Sequence, residues 1–134
     1  MQEREASLVS HIVLDHAYNP RNLGPLEAAD GHARITGPCG DTMEFWLTVR
    51  NGRVDQIAFT TDGCGSSLAC GSMATCLAQG RSVADASAVT QADILRALGG
   101  LPEATEHCAL LASNVLRAAC EDYHSKSITE PGKE

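Results

Sequence analysis

Six cysteines stand in this chain of 134 residues, and their neighbours divide them into two groups. Cys39 lies in Gly37-Pro38-Cys39-Gly40-Asp41, Cys64 in Gly63-Cys64-Gly65-Ser66, and Cys108 directly after His107. Glycine beside a cysteine lets the backbone approach a bound group closely, and the start of a helix favours a thiolate. These three are expected as thiolates, with Asp41 and His107 as the nearest oxygen and nitrogen donors. Three soft sulfurs and one harder ligand suit iron or zinc. An oxygen in the fourth position should make a cluster easier to release. No C-x-x-C pair occurs, so any site must assemble from three distant segments.

Each candidate has a plainer alternative. Gly-Asp is ordinary turn chemistry, and a histidine near a helix start is more often a cap than a ligand. Here the bend that Leu101-Pro102 introduces would let two consecutive residues, His107 and Cys108, reach one metal. Cys70, Cys76 and Cys120 fall inside predicted helices beside Met73, Leu77 and Leu116 and read as small core residues. Were one of them exposed, Cys70 would be the accessory thiol, being near Cys64 in helical spacing. His16 is expected to pack on the first helix, and His11, His32 and His124 to be solvated. Gly63-Cys64-Gly65-Ser66-Ser67-Leu68 imitates a dinucleotide loop, but Leu68 occupies the third glycine position and no lysine serves a phosphate.

The elements that must position these residues follow from periodicity. Leu8, Val9, Ile12, Val13 and Ala17 form one stripe of a helix over Ala6 to Ala17, which Asn19-Pro20 ends. Arg21 to Gly31 reads as a connecting loop. Met43, Phe45, Leu47 and Val49 alternate with polar residues along a strand, Asn51-Gly52 is a turn, and Arg53 to Thr61 returns as a second strand. A two-residue loop would oppose Phe45 to Ala58. A slip to pair Phe45 with Ile57 and Met43 with Phe59, with Gly52 as a bulge, gathers the large apolar groups and is the expected register. His32 to Thr36 supplies a third strand. The second half is helical: Ser66 or Ser67 caps a helix to about Gln79, Thr90 and Asp93 form a capping box for a helix to Leu98, and Pro102 opens a last helix to about His124. Its inward stripe is Ala104, Cys108, Leu111, Val115 and Ala118. The expected fold is α+β, one domain over residues 1–125, with a disordered tail at 126–134.

Ten basic and 17 acidic residues leave a net charge of −7, and the two lysines, Lys126 and Lys133, both lie near the C-terminus. Nucleic acid and anionic membrane are therefore poor partners. The first residues carry both charge signs with no apolar run after them, and no stretch has the apolar surface of a membrane span; the expected location is the cytoplasm. Six cysteines in a reducing compartment should mostly be thiols.

Taken together, Asp15-His16-Ala17-Tyr18-Asn19-Pro20-Arg21-Asn22-Leu23-Gly24, Pro38-Cys39-Gly40-Asp41, Gly63-Cys64-Gly65-Ser66 and His107-Cys108 resemble the IscU/NifU/SufU-type iron-sulfur cluster assembly scaffolds. The resemblance spans roughly Ser7 to Tyr123 and rests on four motifs in one order. It implies an IscU/SufE-like fold, a three-stranded antiparallel sheet covered on one face by helices. It also implies a role: a scaffold, not an enzyme, that accepts sulfur from a cysteine desulfurase, binds iron, builds a transient [2Fe-2S] cluster and passes it to apo-proteins. Cys39, Cys64 and Cys108 would be ligands, Cys108 the persulfide acceptor, Asp41 the residue that tunes release and His107 an alternative ligand. Zn²⁺ is a plausible occupant of such a site. The alternative within this resemblance is a zinc-bound persulfide acceptor that stimulates a desulfurase without building a cluster.

Departures from the pattern narrow these implications. The Leu-Pro-Pro-Val-Lys segment of typical IscU proteins reads Leu101-Pro102-Glu103-Ala104-Thr105, which sets Hsp70-type chaperone handover in doubt. The SufU-type insertion before the last cysteine has no room here, and His107 is present. A stand-alone IscU-like or NifU N-terminal-like protein, monomer or homodimer, fits best.

Overall fold

The computed structural model describes residues 10–129. Five α-helices and three strands run in the order α1 (His11–Tyr18), β1 (Gly31–Thr36), β2 (Thr42–Arg50), β3 (Arg53–Thr61), α2 (Gly65–Ala78), α3 (Val83–Ser87), α4 (Gln91–Leu98) and α5 (His107–Thr129), with a 3₁₀ turn at Glu103–Thr105 before α5. The sheet is antiparallel in the order β1-β2-β3. Helix α5 packs on β1 and β2, and α2 on β3. Met43, Phe45, Leu47, Val54, Ile57 and Phe59 turn inward and are buried, whereas Glu44 and Trp46 remain half-exposed on the other face. This is the α+β architecture the sequence implies.

The hairpin register differs from expectation. Asn51 and Gly52, with φ of 56° and 75°, form a two-residue turn that pairs Arg50 with Arg53 and Val49 with Val54. A shift between Thr48 and Val49 then leaves Asp55 as an extra residue on β3, so that Phe45 faces Phe59 and Leu47 faces Ile57. The irregularity lies in β3, not at Gly52. Its reason is parity: Val54 is even-numbered while Ile57 and Phe59 are odd, and only an inserted residue puts all three on the buried face.

The segment after α1 packs as well as connects. Phe59 donates its N–H to the Asn22 carbonyl at 2.9 Å, and Gly24 donates to the Phe59 carbonyl at 2.8 Å. Further along β3, Val54 donates to the Arg81 carbonyl and Gly80 to the Val54 carbonyl, each at 2.8 Å. Backbone groups that an edge strand would leave open are thereby paired.

Among the helices, α4 has the expected capping box of Thr90 and Asp93 and ends at Gly99, whose φ is 79°. Helix α3, capped by Ser82, carries too short a pattern to be read from periodicity. Helix α2 is capped by Cys64 and not by Ser66 or Ser67, with no side-chain cap bond. Helix α2 is itself made largely of small residues, and almost every face of it is buried. Helix α5 begins at His107 and not at Pro102, so Ala104 falls in the preceding 3₁₀ turn and is exposed; within the helix Cys108, Leu111 and Val115 point inward as expected, and Ala118 is only half-buried. The helix continues through residues 126–129, past the expected end at His124, while residues 130–134 lie outside the described part. On α1, Val13 and His16 are buried and Ile12 is exposed, contrary to the expected stripe; Leu8 and Val9 lie outside the described residues.

Candidate functional site

Three chain segments meet at one end of the sheet. The β1–β2 loop carrying Cys39 is closed by the Gly37 N–H donating to the Asp41 carbonyl at 2.8 Å. It is tied to the loop after β3, because Thr42 donates its N–H to the Asp62 carboxylate at 2.7 Å and Asp62 donates to the Thr42 carbonyl at 3.2 Å. The second loop delivers Cys64 to the start of α2. The third segment, the bend after Pro102, places His107 and Cys108 on the first turn of α5, where Gln91 donates to the Glu106 carbonyl at 3.0 Å. Leu111, one turn further on, packs against Gly37.

Between these segments lies a short polar chain. The Ser67 hydroxyl donates to Asp41 Oδ2 at 3.1 Å and lies 3.5 Å from Cys108 Sγ; Cys108 Sγ is in turn 3.8 Å from His107 Nε2. Gly63 leaves the space in which they meet. A Cβ at that position would stand 2.7 Å from Asp41 Oδ2 and overlap the Ser67 hydroxyl.

The thiols differ in exposure. Cys39 and Cys64 are exposed, while Cys108 is buried. Burial pushes the Cys108 thiol above its ordinary value; the Ser67 hydrogen bond pulls it down, and the charges of Cys64, Asp41 and Cys39 push it up again. Burial, the largest cause, thus favours the thiol of Cys108 over the thiolate expected at a helix start. Ser67 joins Asp41 to Cys108, and the loops carrying Cys39 and Cys64 end beside them. They are gathered but not closed: among the described residues no three Cys, His, Asp or Glu side chains stand near enough to one another to hold a metal ion.

Of the other cysteines, Cys70 and Cys120 are buried, and burial raises both thiols, Cys120 to about 11. Cys70 is thus inaccessible as an accessory thiol. Cys76 is exposed on α2, against the expectation that it belongs to the core. Beside Cys64, an open groove of about 350 Å³ is lined by Val13, Leu14, Ala17 and Tyr18 of α1 and by Gly65. Sequence reasoning missed Ser67 as a site residue, having weighed it only as a cap. Its spacing of three residues from Cys64 at a helix start is the signal that could have found it.

A family model described as the NifU-like N terminal domain matches residues 8–130. The iron-sulfur cluster assembly scaffold protein IscU 1 of Archaeoglobus fulgidus is 41% identical over 121 residues, covering 90% of this chain and 79% of that protein. The iron-sulfur cluster assembly scaffold protein IscU of Aquifex aeolicus is 42% identical over 117 residues, 85% of this chain and 74% of that one. Among solved structures, the N-terminal part of a NifU-like protein from Brucella abortus superposes with a TM-score of 0.70 at 20% identity, covering 88% of this chain and 95% of the other. That likeness is one of fold.

Proposed function

This chain belongs to the NifU-like N-terminal domain family, and we propose that it is an iron-sulfur cluster assembly scaffold. The observation that carries the reading is the arrival of Cys39, Asp41, Cys64 and His107-Cys108 at one end of the fold from three separate segments, with Ser67 between Asp41 and Cys108. The identity to curated scaffold proteins supports it.

In this reading Cys108 is the sulfur acceptor. Its sulfur, once deprotonated, attacks the terminal sulfur of a persulfide on a cysteine desulfurase; the new S–S bond forms on Cys108 as the donor's S–S bond breaks, and the donor thiolate leaves and takes up a proton. An electron donor then reduces the transferred sulfur to sulfide. Iron and sulfide are the cargo, assembled as a [2Fe-2S] cluster on Cys39, Cys64 and Cys108. Asp41 or His107 completes the set, and apo-proteins are the recipients. An oxygen ligand at Asp41 is the weakest point of a thiolate-rich set and hence the place where exchange begins. Among the described residues no helix is long and apolar enough to cross a membrane. The working compartment we propose is the cytoplasm.

The test is anaerobic incubation with iron, cysteine, a cysteine desulfurase and a thiol reductant. About two iron and two acid-labile sulfides per cluster, with a visible absorption lost in Cys39→Ser, Cys64→Ser and Cys108→Ser, is the expected result. Tightly held zinc with no sulfide uptake overturns the scaffold reading in favour of sulfur transfer alone.

A further inference from the structure

Ser67 is fully buried, yet it neither caps α2 nor serves the core as an apolar residue would. Its hydroxyl faces two acceptors, Asp41 Oδ2 at 3.1 Å and Cys108 Sγ at 3.5 Å. A hydroxyl has one proton to give, so both cannot be fully served at once. The backbone makes room for this arrangement. Gly63 lies outside the left-handed region, so its backbone conformation does not call for glycine, whereas a Cβ there would stand 2.7 Å from Asp41 Oδ2 and overlap the Ser67 hydroxyl.

We propose that Ser67 is a positioning residue of the cluster site, a buried hydroxyl that competes with iron for the Asp41 carboxylate and turns to the Cys108 sulfur when Asp41 is engaged. The inference rests on the scaffold reading above. Without a cluster, the hydroxyl holds the carboxylate. When Asp41 gives charge to iron, its oxygen becomes a poorer acceptor and the hydroxyl swings to the sulfur, which carries negative charge as a ligand. The reverse swing recaptures Asp41 and opens a coordination position. Ser67 thereby links the oxygen ligand that lets go to the sulfur ligand that stays.

Ser67→Ala deletes the hydroxyl and keeps the Cβ, so the packing of α2 is undisturbed. Clusters are assembled anaerobically on the full chain and on Ser67→Ala, each with Asp41 intact and with Asp41→Ala. Two quantities are measured: the reduction potential of the cluster and its rate of loss to a chelator. With Asp41 intact, Ser67→Ala should release its cluster about tenfold more slowly, the size expected for one hydrogen bond to a charged group. With Asp41→Ala the serine substitution should leave the rate unchanged, since nothing remains for the hydroxyl to recapture. The potential should move to more negative values in Ser67→Ala, because hydrogen bonds to ligand sulfurs raise it. A potential equal to the wild type, or a rate unchanged or altered equally in both backgrounds, overturns the role of Ser67. Wild-type protein that takes up no iron and sulfide overturns the scaffold reading itself, and only that arm reports on it.

Discussion

His16 is 7% exposed, and its Nδ1 lies 2.6 Å from the Ser72 hydroxyl, which also accepts the Arg21 backbone N–H at 2.9 Å. The hydroxyl has one proton and two lone pairs, so beside the Arg21 N–H it can serve Nδ1 of the neutral imidazole in either tautomer. Burial holds its pKa below the ordinary value, the Arg21 charge adds to that, and Asp15 opposes. In the unfolded chain the group titrates near 6.5. Its contribution to stability is therefore complete above about pH 6.5 and is lost as the pH falls from there through the lower folded value. The urea midpoint should drop as the pH is lowered from about 7 to 5, and His16→Gln, which keeps a polar partner for Ser72 but cannot titrate, should remove that part of the drop. An equal drop in the variant would exclude His16 as its source. Residues with local chemical company were legible in the sequence: Cys39, Cys64 and Cys108 stand out by their Gly, Asp and His neighbours. Cys76 was not, because its exposure depends on which faces of α2 the other elements cover, and a helix of small residues gives no periodic clue. Ser67 was not either, since its partners lie 26 and 41 positions away.

At the scale of elements, α2 can lie close on β3 because position 71 has no side chain. A Cβ at Gly71 would overlap the edge of the Phe59 ring, which is fully buried and packed at 5.9 Å, centroid to centroid, against Phe45. Gly71→Ala thus sets two effects against each other. Helix propensity favours alanine by about 1 kcal/mol. Overpacking a filled core costs about 1–3 kcal/mol, and here neither ring has space to turn into. The clash wins, and a net loss of about 2 kcal/mol in urea unfolding is expected; a gain in stability would mean that α2 can ride away from the sheet at no cost. The same close packing explains which elements the sequence disclosed. The strands were visible by alternation and α4 by its capping box. The sequence points to a bulge at Gly52 because that gathers Met43, Phe45, Ile57 and Phe59 on one face, but Val54 joins that face as well only when the extra residue falls at Asp55. The loop through Asn22 and Gly24 showed only turn residues, and its seat on β3 is made by backbone hydrogen bonds that no side-chain pattern announces.

For the molecule as a whole, the core shares only Cys108 with the site: Phe45, Phe59, Ile94, Leu98 and Leu116 are fully buried without any contribution from Cys39 or Cys64, which remain exposed. Metal capture is then the last step, drawing together a β1–β2 loop, the start of α2 and the start of α5, segments that the folded chain has already brought to one end. Linkage gives this a measurable form. A metal that binds the folded chain and not the unfolded one stabilises by about 2.7 kcal/mol when free metal is a hundredfold above Kd. For a domain of this size that corresponds to a rise of about 10 °C in Tm. Thiols of the unfolded chain also bind zinc and reduce the effect, but they lack the preset geometry and compete weakly. Zn²⁺ added to the cluster-free protein should therefore raise Tm by several degrees, and the variant carrying Cys39→Ser and Cys64→Ser, two exposed positions whose replacement leaves the core intact, should show no rise. If both proteins gained equally, the zinc would be binding elsewhere and the three segments would not form the metal site. If the wild type lost stability instead, capture would require the core to open, and the order of events argued from the buried residues would be reversed.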